Sequence, residues 1–146
     1  MTLVVTQVTV PARSTRCRRP LFLVAVSAGF PSPADDYLDG KLDLNDYLIH
    51  HPAATFFVRV AGDSMIEAGI HTGDLLIVDR SLEPVNNSVV IAVVNGELTV
   101  KRLCLRRGKL CLLPSNGQYP PVPIDEATDF AVWGVVTHVI HAVKAK

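Results

Sequence analysis

The stretch Ser88–Leu103, "SVVIAVVNGELTVKRL", decides how this chain folds. A run rich in Val and Ile enters Asn95-Gly96, and a second β-prone run, Glu97–Leu103, leaves it. Asn-Gly suits a two-residue hairpin turn because both central residues must take positive φ. The stretch therefore predicts two adjacent antiparallel strands. Working outward, "TFFVRVA" (Thr55–Ala61), "DLLIVDR" (Asp74–Arg80), "KLCLLP" (Lys109–Pro114) and "FAVWGVVTHVIHAV" (Phe130–Val143) have the same β-branched and aromatic character. Turn signals such as Gly73-Asp74 and Arg107-Gly108 separate them. Six short strands with tight turns predict a mostly β domain built from bent antiparallel sheet. The last run is apolar on both faces, so it lies in the core, pairs across an interface, or does both.

Upstream of Thr55 the character differs. "TLVVTQVTV" has β character, yet Pro11, Pro20, Pro31, Pro33 and Pro52 punctuate the segment. One short helix is expected from about Asp43 to Ile49, with Asp43 as N-cap. The expected division is an arm over 1–28, a linker with a short helix over 29–53, and a β-rich domain over 54–146.

With 146 residues, nearly half of them hydrophobic, and a formal net charge of zero, the chain suits one compact core. No global basic field invites nucleic acid. The charge is uneven: residues 1–28 carry four Arg and no acid, and the remainder carries a balancing −4. A cationic arm can be drawn onto an anionic body, with salt weakening the attraction. The basic hairpin tip Arg102, Arg106, Arg107 and Lys109 reads as solvated turn charge. The three cysteines, Cys17, Cys104 and Cys111, form no CxxC pair and fit free thiols in a reducing compartment. The five His form no grouping with metal-ligand spacing, so neither a metal nor a cofactor is assigned.

"RCRRPLFLVAVSAGFPSP" (Arg16–Pro33) has the outline of a cleaved signal peptide: basic start, apolar middle, small residues at the end. Its apolar run, Leu21–Val26, is only six residues long, whereas export signals use ~7–15. No run approaches the roughly 18 apolar residues of a membrane span. A cytoplasmic location is expected.

Two positions carry chemistry once the strands are laid down. Ser64 follows a strand end in "VAGDSMIEAGIHTGDLLIVDR" (Val60–Arg80), where backbone N–H groups can face outward and hold an oxyanion. A plain Asx-type turn is the simpler account of Gly-Asp-Ser taken alone. Lys101 shares a strand face with Thr99, Leu103 and Leu105. An amine on a mainly apolar face loses hydration and its pKa falls, so it can accept a serine proton. A lysine snorkelling to water is the simpler account there.

Together, "GDSMIEAGIHTGDLLIVDR" and "ELTVKRL" resemble the UmuD–LexA group of self-cleaving proteins, and "SAGFPSPADDYLD" resembles the cleavage segment of the UmuD branch. The resemblance implies a LexA/signal-peptidase-like catalytic domain, with Ser64 as nucleophile and Lys101 as general base. It places the cut between Ala28 and Gly29, removing residues 1–28, with oxyanion donors at the backbone N–H groups of Ser64 and Asp63. The signal-like outline then reflects the needs of a Ser-Lys catalyst for small residues at the cut. The resemblance further implies a homodimer, stimulation by a RecA–single-stranded DNA filament after DNA damage, and a trimmed product that serves a UmuC-like Y-family translesion polymerase. A LexA-type repressor would need a helix-turn-helix ahead of the cut, which 28 residues with Pro11 and Pro20 do not supply. No sequence-specific DNA binding and no membrane partner are therefore expected. A signal-peptidase-like processing enzyme and a catalytically silent interaction module stand as alternatives. Upstream of Val24 the resemblance explains nothing, "TLVVTQVTV" included.

Overall fold

The computed structural model describes residues 3–12, 18–22 and 38–144. They fall into two units, Met1–Pro11 with His51–Lys146, and Ala12–His50.

The larger unit is an antiparallel sheet rolled on itself. Its strands are β1 (Val4–Thr9), β4 (Thr55–Ala61), β5 (Leu75–Asp79), β6 (Val89–Val94), β7 (Glu97–Arg106), β8 (Lys109–Leu113), β9 (Val122–Pro123) and β10 (Phe130–Ile140). The spatial order is β1-β4-β5-β10-β6-β7-β8-β9, and Val4 of β1 pairs with Thr99 of β7. Six strands thus close a barrel-like ring, with β8 and β9 continuing outward from β7. The mostly β, bent antiparallel architecture expected from the sequence is the one observed.

The hairpin at its centre forms as its turn chemistry demands. Asn95 and Gly96 both take positive φ, 49° and 82°, and Val94 faces Glu97 across the ladder. Arg107 and Gly108 repeat the pattern with φ of 52° and 73°, so β8 folds straight back along β7. The side chains of β6 divide between two cores. Ile91 packs with Val58, Val60, Leu76, Val78 and Val100, while Val90 and Ala92 pack with Leu103 and Leu112. Burial on both faces explains why Val89–Val94 is a continuous apolar run instead of an alternating one.

β10 lies between β5 and β6, and its apolar side chains divide between the two cores, Trp133 and Val136 packing against the first and Phe130, Val132 and Val135 against the second, although Val139 and Ile140 near its end are exposed. Gly134 of β10 has no room for a side chain: a Cβ there would lie 2.5 Å from Val78 Cγ1. The β10–β6 register also shifts at that point, between Val132 and Gly134. His51 precedes the 3-10 turn Pro52–Ala54, and its Nδ1 lies 2.5 Å from Asp79 Oδ2. Asp79 also accepts from the Ser81 backbone N–H and hydroxyl. Burial pushes its carboxyl upward, but the Ser81 and His51 hydrogen bonds outweigh it and hold the group below its ordinary value.

The smaller unit pairs β2 (Arg18–Phe22) with β3 (Leu38–Asp43) and continues into α1 (Leu44–Leu48). Asp43 caps this helix as expected, accepting from the Asn45 N–H at 2.8 Å and the Asp46 N–H at 3.4 Å. Pro20 sits within β2, which a two-stranded ribbon tolerates because, among the described residues, each strand keeps one unpaired edge. The expected scissile pair, Ala28 and Gly29, lies outside the described residues. No helix among the described residues is long and apolar enough to cross a membrane.

Candidate active site

Ser64 stands in the turn that ends β4. Gly62, at φ 120°, breaks the strand in a conformation that suits glycine, and the chain then enters the 3-10 turn Ile66–Ala68. Neighbouring segments fix this turn. The Asp63 carbonyl accepts from the Ile66 N–H at 3.2 Å and from Asn116 Nδ2 at 2.9 Å. Tyr119 donates its hydroxyl to Asp63 Oδ1 at 2.6 Å, and the Glu67 N–H donates to the Ser115 carbonyl at 2.7 Å. On the other side, the Gly62 N–H donates to Thr72 Oγ1 at 3.2 Å. Asn116 and Tyr119 carry no chemistry themselves, and nothing in the sequence marks them; their positioning role emerges only when the 115–119 loop meets the Ser64 turn.

Lys101 projects from the middle of β7 into the same place. Its Nζ donates to Ser64 Oγ at 3.3 Å, although the two residues are 37 positions apart in the chain. The lysine is only 5% exposed, and among the described residues it makes no ion pair with a carboxylate. Burial alone pulls its pKa below the ordinary lysine value. An amine that loses its proton can reverse this hydrogen bond and accept from the serine hydroxyl, the arrangement that activates a Ser-Lys nucleophile. Beside it, Thr99, Lys101, Leu112 and Val122 help line a cavity of about 310 Å³, space for an extended peptide segment next to the amine.

One occupant of this site was not anticipated from the sequence. The Leu3 N–H donates to Ser64 Oγ at 2.8 Å, and the Leu3 carbonyl accepts from Thr99 Oγ1 at 2.9 Å and the Val100 N–H at 3.4 Å. Leu3 itself is fully buried against Val58, Val60, Met65 and Val100. The strand that follows, β1, adds to the edge of β4 with Val4 opposite Ala61 and Thr9 opposite Phe57. The segment Leu3–Thr9 therefore lies across Ser64, which has no solvent exposure. "TLVVTQVTV" is the segment the resemblance left unexplained, and here it has a place.

The structure thus brings Ser64 Oγ and Lys101 Nζ together, with Asp63 next to Ser64 in the same turn, whereas the expected cleavage pair falls in residues 23–37, which are not described. Comparison with known proteins gives the family. A profile described as Peptidase S24-like matches residues 20–137. Protein SamA of Salmonella typhimurium is 49% identical over 135 residues, covering 92% of this chain and 91% of its own. Protein MucA of Escherichia coli is 48% identical over 120 residues, 82% of each chain. The LexA repressor of Dechloromonas aromatica is 36% identical over 123 residues, 84% of this chain but 61% of the repressor. A buried serine-lysine pair on a rolled antiparallel sheet and these likenesses converge: the chain belongs to the Peptidase S24-like family, and its kinship is with the UmuD–LexA group of SOS-related self-cleaving proteins.

Proposed function

We propose that this chain is a self-cleaving serine peptidase that cuts its own Ala28–Gly29 bond with Ser64 and Lys101. The single observation that carries the reading is the 3.3 Å contact between Ser64 Oγ and a buried Lys101 Nζ whose pKa is depressed by that burial. Neutral Lys101 takes the hydroxyl proton as Ser64 Oγ bonds to the Ala28 carbonyl carbon. The backbone N–H groups of Ser64 and Asp63 stabilise the resulting oxyanion. The C–N bond breaks as Lys101 returns the proton to the departing Gly29 amine. Lys101 then deprotonates a water that hydrolyses the Ala28 ester, which regenerates the serine and leaves a carboxylate. A small residue at Ala28 and a glycine at Gly29 let the peptide lie close to the serine.

The seat taken by Leu3 sets a condition on this chemistry. With Ser64 covered, no substrate carbonyl reaches Oγ, so β1 must leave before Ala28 can enter. The idle form is then a chain whose first strand covers its own nucleophile. A RecA–single-stranded DNA filament is the stimulus that tips this balance, and the trimmed homodimer is an accessory subunit of a Y-family translesion polymerase. The likeness to the proteins named SamA and MucA over 91% and 82% of their lengths, together with the family, supports this role.

The test is to incubate the chain at neutral pH with RecA, single-stranded DNA and ATP, then to present the product to a UmuC-type polymerase on an affinity column. The reading predicts filament-dependent loss of residues 1–28 and retention of the trimmed form. Cleavage indifferent to the filament, or a trimmed form that passes through the column, would overturn the corresponding part.

A further inference from the structure

We propose that His71, Asp74 and His141 form a site for a divalent transition metal of the zinc class, separate from the Ser64–Lys101 pair. Each residue presents a ligand atom, and the three atoms lie within 4.8 Å of one another. The topology makes this meeting obligatory. The β10–β5 ladder ends with Ile140 opposite Leu75, so the next residues outward, His141 and Asp74, flank the same end of the ladder. His71 is brought back to Asp74 by a tight turn. Its N–H donates to Asp74 Oδ2 at 2.8 Å, and the Asp74 N–H donates to the His71 carbonyl at 3.1 Å.

The side chains are arranged as ligands around a fixed carboxylate. Asp74 is only 2% exposed at its side chain, with His141 Nδ1 2.6 Å from Oδ1 and His71 Nδ1 3.9 Å from Oδ2. The two imidazoles lean together, with centroids 4.9 Å apart and planes at 39°. A hydrogen bond to Asp74 accounts for His141 alone. His71 Nδ1 is buried and finds no hydrogen-bond partner among the described residues. Buried polar atoms left so are uncommon, and a cation between the rings would supply the missing partner.

The donor set selects the metal. Two imidazole nitrogens and one carboxylate oxygen suit zinc and its first-row neighbours, whereas magnesium and calcium require mostly oxygen ligands. Bonds of about 2.0–2.1 Å place tetrahedral ligands roughly 3.4 Å apart, so the cluster must tighten. The two rings can do this: their side chains are 44% and 46% exposed, which leaves them free to swing and opens a path for the ion. The fourth position remains for water.

The position of the site gives it a consequence. The 71–74 turn supports the strand that leads to Ser64. The Val60 N–H donates to the Asp74 carbonyl, the Gly73 N–H to the Val60 carbonyl, and the Gly62 N–H to Thr72 Oγ1. A bound ion would staple the end of β10 to the turn that is hydrogen-bonded to the strand leading to Ser64.

The test uses the full chain stripped with a chelator and titrated with zinc chloride by calorimetry, alongside melting with and without zinc. One equivalent should bind and raise the melting temperature. His71→Ala and His141→Ala should each weaken binding at least about 100-fold and abolish the thermal shift. His50→Ala, at an exposed histidine that is not a member of the cluster, should leave both unchanged. The metal-free melts of the variants show whether they fold; His71→Gln and His141→Gln, which keep more of the side-chain volume, replace any that do not. Absence of zinc binding, or binding that survives both substitutions, would overturn the site.

Discussion

Leu3→Ala is the perturbation that separates a covering strand from a merely structural one. Leu3 is fully buried in a core shared with Val58, Val60 and Met65, and its N–H is bonded to Ser64 Oγ. Truncating a buried leucine costs about 2–5 kcal/mol, and each 1.36 kcal/mol is about tenfold in an equilibrium. Weakening the seat by that amount lowers the ratio of covered to uncovered nucleophile by about 30-fold to about 5,000-fold. Self-cleavage accelerates with it until the chemical step becomes limiting, so a gain of at least about tenfold in rate is expected. The assay is intact mass against time at alkaline pH, where Lys101 is neutral, with circular dichroism to show that the variant keeps its sheet. Deleting residues 1–9 should accelerate cleavage as well. A synthetic peptide of residues 2–12, added to that deletion, should slow it again by reoccupying the groove. A folded Leu3→Ala chain that is cut no faster than the unaltered chain would refute the covering role of β1.

Lys101 should impose a pH dependence of definite sign. Its folded-state pKa is depressed by burial, so self-cleavage rises with pH to a plateau once the amine is neutral. The unfolded chain binds more protons between that depressed value and the ordinary 10.5, so stability rises with pH through this window. Lys101→Met, measured by urea denaturation, should therefore stabilise the chain most at neutral pH, with the advantage shrinking as pH approaches the ordinary value. Asp79 gives the same slope in the acid range: its lowered pKa adds stability above the ordinary 3.8 that is lost as pH falls through the folded value, and Asp79→Asn should flatten acid denaturation there. Gly134→Ala forces a Cβ to 2.5 Å from Val78 Cγ1 and should lower the melting temperature measurably, by about 1–3 kcal/mol of overpacking. Asn116→Ala removes a donor to the Asp63 carbonyl and should slow cleavage more than it lowers stability, which paired mass and melting measurements distinguish.

The strands and turns of the barrel were legible because local chemistry specifies them. Asn95-Gly96 and Arg107-Gly108 fix their hairpins within a few residues, and Asp43 announces α1 by its capping side chain. β1 was not legible as part of the barrel. Its partners on β4 lie about fifty positions away, and a proline follows it at Pro11, so no local pattern couples the two. The site was legible in its parts and illegible in its assembly. Ser64 and Lys101 each admitted an ordinary account, and only the resemblance joined them before the 3.3 Å contact was seen. Asn116, Tyr119 and Leu3 carry no sequence signature because positioning is a property of tertiary approach. The His71–Asp74–His141 cluster was missed for the same reason: His141 lies 67 positions from Asp74, and they meet only because β10 pairs with β5.

The most direct test of the central claim is the intact mass of the purified chain after incubation at alkaline pH without any partner, beside Ser64→Ala and Lys101→Ala. The account predicts a single cut between Ala28 and Gly29 in the unaltered chain and none in either variant. A cut elsewhere, or one that persists in Ser64→Ala, would contradict it.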